Sequence, residues 1–180
     1  MGLDIRTLII ILGFTHLMQV LIFYHQYKVN KIYKGIGWWL LWSAAEVIAF
    51  GAMLFRNNTT ILPIIIIIQN SMLIAGTLFL YIGVKKFFGK KINLKLIIPP
   101  ISLFMLGLLY FLTINDNLEI RSIIISIMLA YIAFITAQSL FYDKTPNLTA
   151  SANFNALLFL VHGGIFVFRG IMIIDGYLIT

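Results

Sequence analysis

Cysteine is absent from the 180 residues, which excludes disulfide frameworks, thiolate metal sites and cysteine nucleophiles, and leaves the redox compartment unread. Charge is almost as scarce. Lys, Arg, Asp and Glu together make up 11% of the chain against 61% hydrophobic side chains, and the mean hydropathy is +1.01. A water-soluble domain cannot hide that much apolar surface. The strict alternation of a transmembrane β-barrel is also missing. There is no Gly/Ser linker, no low-complexity tract and no convincing internal repeat, so residues 1–180 read as a single domain. The polar separators are no longer than about a dozen residues, too short for a folded catalytic module on either side of a membrane.

What the chain does have is long apolar runs. They cover about 7–24, 37–55, 61–84, 96–114, 120–141 and 152–174, each near the roughly 20 residues a helix needs to cross about 30 Å of hydrocarbon. The expected fold is therefore all-α, a polytopic bundle of about six transmembrane helices. The first run has no basic leader and no small-residue cleavage site, and is expected to remain in the mature protein. Pro63 and the Pro99-Pro100 pair are expected in the first turns of their helices, where a missing N–H is inexpensive.

The formal charge of +7 would point a soluble protein toward nucleic acid. Here the basic residues sit between apolar runs, so membrane orientation explains them and no nucleic-acid partner is expected. All nine lysines fall in alternate loops: Lys28, Lys31 and Lys34 in the first, Lys85, Lys86, Lys90, Lys91 and Lys95 in the third, Lys144 in the fifth. The positive-inside bias makes those loops cytoplasmic and puts both termini outside. The four arginines, Arg6, Arg56, Arg121 and Arg169, lie at the opposite helix ends near the acids Asp4, Asp116, Glu119 and Asp175, an outer rim of paired charge.

Ionisable groups at mid-span are costly unless they face a partner, so each is a functional candidate. His16 is centred in the first helix, Glu46 in the second and His162 in the sixth. The spacings His16/Gln19 and Ser43/Glu46 put each pair on one helix face, expected to look inward. In the sixth helix Asn155, Phe159, His162, Phe166 and Arg169 follow at offsets of four, three, four and three, one polar and aromatic face. Asn70, Thr77 and Tyr81, and Ser122, Ser126, Ala133 and Thr136, mark similar faces on the third and fifth helices. One reading is a pocket opening outward, with Arg169, Arg56 and Arg121 receiving an anionic group and Phe159 or Phe166 holding an apolar body. The other is that such residues simply pack helices through interhelical hydrogen bonds, the role that suits Asn70, Thr77, Gln138 and the serines. His16, His162 and Glu46 also stand as weak metal or haem ligands, or as a Glu–His proton relay. No nucleophile–base pair is recognisable and no cofactor is called for. Trp38, Trp39 and Trp42 read as an interfacial belt.

The opening Leu3-Asp4-Ile5-Arg6-Thr7-Leu8 resembles the start of the multi-helix membrane sensor region that precedes GGDEF catalytic domains in bacterial diguanylate cyclases. Further points of likeness are Ile36-Gly37 followed by Trp38-Trp39, Gly51 with Arg56, Pro63 followed by Asn70, Gly76, Tyr81-Ile82-Gly83 and Phe87-Phe88-Gly89-Lys90, and Phe166-Val167-Phe168-Arg169. The resemblance implies a receptor in the bacterial inner membrane rather than an enzyme. Its output would be a cytoplasmic signalling domain in cis or in trans, since no GGDEF motif is present, and signalling as a homodimer would be in keeping with it. It carries Asp4, Arg6, Arg56, Asn70 and Arg169 over as candidate site residues and names no ligand. A small-solute, ion or proton transporter or channel is the rival expectation, with Glu46 and the histidines lining the pathway.

Overall fold

The structure is a computed structural model and describes residues 4–179, with the side chains of residue 146 and residues 177–179 left undescribed. Leu3 of the opening segment and the final Thr180 lie outside the described residues. Six helices follow one another: α1 (Ile5–Val29), α2 (Ile36–Met53), α3 (Leu62–Phe87), α4 (Leu94–Thr113), α5 (Leu118–Tyr142) and α6 (Thr149–Ile179), with a short 3-10 turn at Pro146–Leu148 before the last. All six are long and apolar enough to cross a membrane. The chain is a multi-pass membrane protein, and its helices contact the lipid bilayer.

Each helix extends where its flanking residues allow. Asp4 caps α1 by accepting from the Arg6 backbone N–H at 3.2 Å, Asn93 caps α4 through Lys95 N–H at 3.1 Å, and Asn117 caps α5 through Ile120 N–H at 2.9 Å. α1 continues past the apolar run through His25, Gln26, Tyr27 and Lys28 before Asn30 closes it. α3 likewise runs through Lys85 and Lys86. These polar residues form helix readily, and a lysine in a last turn complements the helix dipole.

α4 departs from expectation. It starts at Leu94, so Pro99 and Pro100 fall inside the helix rather than in its first turn. Pro100 has no N–H for the carbonyl four residues back, that of Leu96. The Tyr131 hydroxyl of α5 donates to that oxygen at 2.7 Å, so a side chain supplies the bond the proline removes.

By contacts within the chain, the described residues form two compact units that divide between Phe87 and Phe88. In the first, α2 packs against both α1 and α3. In the second, α5 packs against both α4 and α6. Close approach in the first unit is set by glycine: a Cβ on Gly35 would collide with the Gly83 carbonyl oxygen and stand 2.9 Å from Phe87 Cβ. In the second unit Ala152, Ala156, Gly163 and Gly170 are buried along α6. A Cβ on Gly163 would lie 2.6 Å from the Phe134 ring of α5. Small residues are what allow membrane helices to approach so closely.

Candidate functional site

Glu46 is an acid buried within a membrane-crossing helix. It sits in the body of α2 at 5% exposure. A Cβ on Gly76 of α3 would stand 3.0 Å from its Oε1 and 3.4 Å from the Trp42 ring, so the missing side chain at Gly76 is what makes room for the carboxylate. The Trp42 ring, one turn earlier on α2, lines the same gap beside the carboxylate. Among the described residues no cation forms an ion pair with Glu46.

α1 closes the other side. Its half-buried residues Ile9, Leu12, Gly13, His16, Gln19, Val20 and Phe23 form one stripe at helical spacing. His16 stacks on Phe50 with ring centroids 5.5 Å apart and meets Trp42 edge-on at 5.7 Å. Trp42 and Phe50 are the residues one turn before and one turn after Glu46, so His16 lies level with the carboxylate across the α1–α2 contact. The expectation that His16/Gln19 and Ser43/Glu46 look inward holds in this unit. His16 Nδ1 and Gln19 Oε1 are buried without a hydrogen-bond partner, as polar atoms rarely are.

Gln69 Oε1 is a third such atom. Gln69 and its neighbour Asn70 are both buried at 3% exposure on α3. Gln69 is seven residues from Gly76, about 10 Å along the helix, so these two amides mark a separate polar position.

The tryptophans are half-buried and pack into this unit through ring contacts. A continuous series of ring contacts runs from Phe50 through His16, Trp42, Phe23, Trp39 and Phe87 to Tyr33, with centroid separations from 5.3 to 6.2 Å. Trp38 packs instead on Phe79 of α3 at 5.8 Å. Sequence reasoning missed Gly76, Phe50 and Phe23 as parts of the site. The available signal was the spacing Trp39, Trp42, Glu46, Phe50, which already placed four large or charged side chains on one face of α2.

Five buried or half-buried hydroxyls are consumed within their own helices. Ser43 donates to Trp39 O at 3.2 Å, Thr77 to Ile74 O at 3.0 Å, Ser126 to Ser122 O at 2.8 Å, Thr136 to Ile132 O at 2.7 Å and Ser139 to Ile135 O at 3.0 Å. Backbone pairing of this kind suits packing, and it leaves these groups without a free donor for a ligand.

In the second unit the candidates separate. Arg121 is buried at the start of α5, with Nη1 2.7 Å from Asp116 Oδ1. Its Nε and Nη1 nevertheless lack a well-aligned hydrogen bond, so the contact is ionic rather than directional. On α6 the expected inner face is not the packed one: Asn155, His162 and Arg169 are exposed, while Phe159 and Phe166 are half-buried beside the glycine and alanine face. Phe166 meets His162 edge-on at 4.8 Å. Asp4, Arg6 and Arg56 are exposed in the first unit. Asp4 acts there as the α1 cap. Among the described residues no group of three or more His, Asp or Glu side chains is placed to hold a metal ion. Comparison with known protein families, curated proteins and solved structures finds no match to this chain.

Proposed function

We propose that this chain is a membrane-embedded sensory domain of the bacterial inner membrane, with Glu46 and His16 of the first unit at its receiving site. It would detect a signal arriving at the outer face or within the bilayer and relay it to a cytoplasmic output such as cyclic di-GMP synthesis, carried on an attached or separate catalytic domain. The chain itself acts as a receptor and not as an enzyme.

The observation that carries this reading is the Glu46 carboxylate, buried in a membrane-crossing helix with no ion-pair partner among the described residues. Such a charge is expensive in the bilayer and is retained for a task. The aromatic series supplies a coupled set of side chains: a change in charge or occupancy at Glu46 alters how Trp42 and His16 pack, and the rings continue to Tyr33 in the lysine-bearing loop. Two packings of unequal affinity for the signal suffice to make a switch. The likeness of the opening residues to diguanylate cyclase sensor regions points the same way.

The same carboxylate supports one other reading, a proton, ion or small-solute transporter in which Glu46 loads the cargo. Glu46→Gln separates the two. In cells carrying the chain and a cyclic di-GMP reporter, the sensory reading expects the variant to shift reporter output at equal membrane abundance, with proteoliposome flux absent in both forms. Unchanged output together with a flux that the variant abolishes would replace the receptor with a transporter.

A further inference from the structure

One end of the first unit gathers cations without acids. The last turns of α1, the loop 30–35 and the last turns of α3 meet there through contacts inside the unit. Gly35 lies against the Gly83 carbonyl and Phe87 of α3, Tyr33 stacks on Phe87 with ring centroids 5.3 Å apart, and a Cβ on Gly37 would stand 3.2 Å from the Tyr27 ring of α1. These contacts bring Lys28, Lys31 and Lys34 to the same end as Lys85 and Lys86. Lys28, Lys31, Lys34 and Lys86 are exposed, and among the described residues none of these four forms an ion pair. The acids of this unit stand elsewhere: Asp4 caps the opposite end of α1, and Glu46 is buried in the body of α2.

We propose that this end of the first unit seats the headgroup of an anionic phospholipid, with Lys28, Lys31, Lys34 and Lys86 gathered around its phosphate. The charge balance of the chain excludes its own residues as the counter-charge. On the lysine side the rest of the chain adds Lys90, Lys91, Lys95 and Lys144, and a single acid, Asp143, next to Lys144. These residues add to the surplus rather than cancel it, and a second copy would bring the same surplus again. The anion therefore comes from outside the chain. Lysines clustered just beyond membrane-crossing helices are what acidic headgroups collect around, each lysine near the surface strengthening the attraction about fivefold.

Three features make that anion a lipid rather than a solute. Lys28 and Lys86 are still helical, on α1 and α3, close behind the apolar runs, so their ammonium groups stay at headgroup depth. Lys28 bends back toward its run, with Nζ 5.5 Å from the centroid of the Tyr24 ring one turn earlier. Tyr24, Tyr27 and Tyr33 are each about half exposed, and the amphipathic phenol ring settles at the same depth. Ile32, between Lys31 and Tyr33, is 87% exposed. An apolar side chain set among lysines suits the boundary where acyl chains begin. The lysines would serve a free phosphate equally well, whereas the tyrosines and Ile32 serve only a ligand that carries an acyl chain. Glu46 and His16 take no part, so the lipid site stands or falls apart from the sensory reading.

All three tryptophans, Trp38, Trp39 and Trp42, lie on α2 of this unit, so their fluorescence reports the lipids around it. With the full chain in phosphatidylcholine vesicles, phosphatidylglycerol bearing brominated acyl chains is expected to quench more strongly than the same fraction of brominated phosphatidylcholine, a relative affinity of about fivefold or more. Combining Lys28→Gln, Lys31→Gln, Lys34→Gln and Lys86→Gln, with the other five lysines kept to orient the chain, is expected to abolish the preference while the helical circular dichroism stays unchanged. The corresponding Lys→Arg combination is expected to retain it. Inorganic phosphate, at an ionic strength matched with chloride, is expected to leave the preference intact. Equal quenching by the two lipids in the parent chain would overturn the site and leave the lysines to orientation or to a soluble acidic partner. A preference that survives the Gln combination would overturn its placement, and one that free phosphate removes would assign the lysines to a soluble anion instead of a lipid.

Discussion

Single atoms decide several features of this chain. The Tyr131 hydroxyl exists at its position to satisfy one carbonyl, that of Leu96, freed by Pro100. Tyr131→Phe keeps the ring and removes the donor, so thermal denaturation in detergent should show a loss of about 1 kcal/mol, the scale of one hydrogen bond between membrane helices. An unchanged melting temperature would mean that the carbonyl finds another partner. Glycine makes the same point sterically. A methyl group at Gly35 meets backbone, the Gly83 carbonyl, which cannot move aside as a side chain can, whereas Gly164 has nothing within 4 Å. Gly35→Ala is expected to lower stability by about 1–3 kcal/mol, and Gly164→Ala to leave it unchanged or slightly raised. Equal effects of the two substitutions would contradict the close α2–α3 approach.

Among the helices, legibility followed periodicity. Runs of apolar residues are read by eye because hydrocarbon thickness imposes their length, and all six helices stand where those runs are. Their ends were harder: Lys85 and Lys86 look like a loop in a hydropathy trace yet continue α3, because helix formation does not stop where the hydrocarbon does. The inward faces of α1, α2 and α3 were legible from three- and four-residue spacing. The face by which α6 packs inside its own unit is not the one its polar residues mark, for a physical reason. Polar and aromatic residues draw the eye to an inner face, but in membranes van der Waals packing of Ala and Gly sets which face packs, and those residues carry no polar signal. The function of α2 can be separated from its stability on the same grounds. A carboxylate kept for structure should weaken the fold when neutralised. One kept for signalling sits there at the expense of stability. Glu46→Leu and Glu46→Gln are therefore expected to melt at or above the temperature of the parent chain while losing the reporter response. A melting temperature several degrees lower for both would return Glu46 to a packing role.

For the molecule as a whole, direction across the membrane matters more than any single contact, since it determines which end of the aromatic series faces the cell interior. The physical argument is the distribution of lysine alone: nine of nine lie in alternate loops or in the helix turns that flank them, and cationic short loops are retained on the cytoplasmic side during insertion. Arginine does not follow that pattern, and at least Arg121 has an acid beside it, Asp116 at 2.7 Å, which lowers its weight as an orienting charge. The division between Phe87 and Phe88 was not marked in composition, because a lysine-bearing turn serves both as a topological signal and as a connector. Cysteine-scanning settles the direction without background labelling. In intact cells a membrane-impermeant maleimide is expected to modify Asn58→Cys and Asn115→Cys, and to reach Lys31→Cys and Lys90→Cys only after permeabilisation. Labelling of Lys90→Cys in sealed cells would invert the chain, placing Tyr33 and Phe87 at the outer surface, and a relay from Glu46 to a cytoplasmic domain would then have to leave through the opposite helix ends.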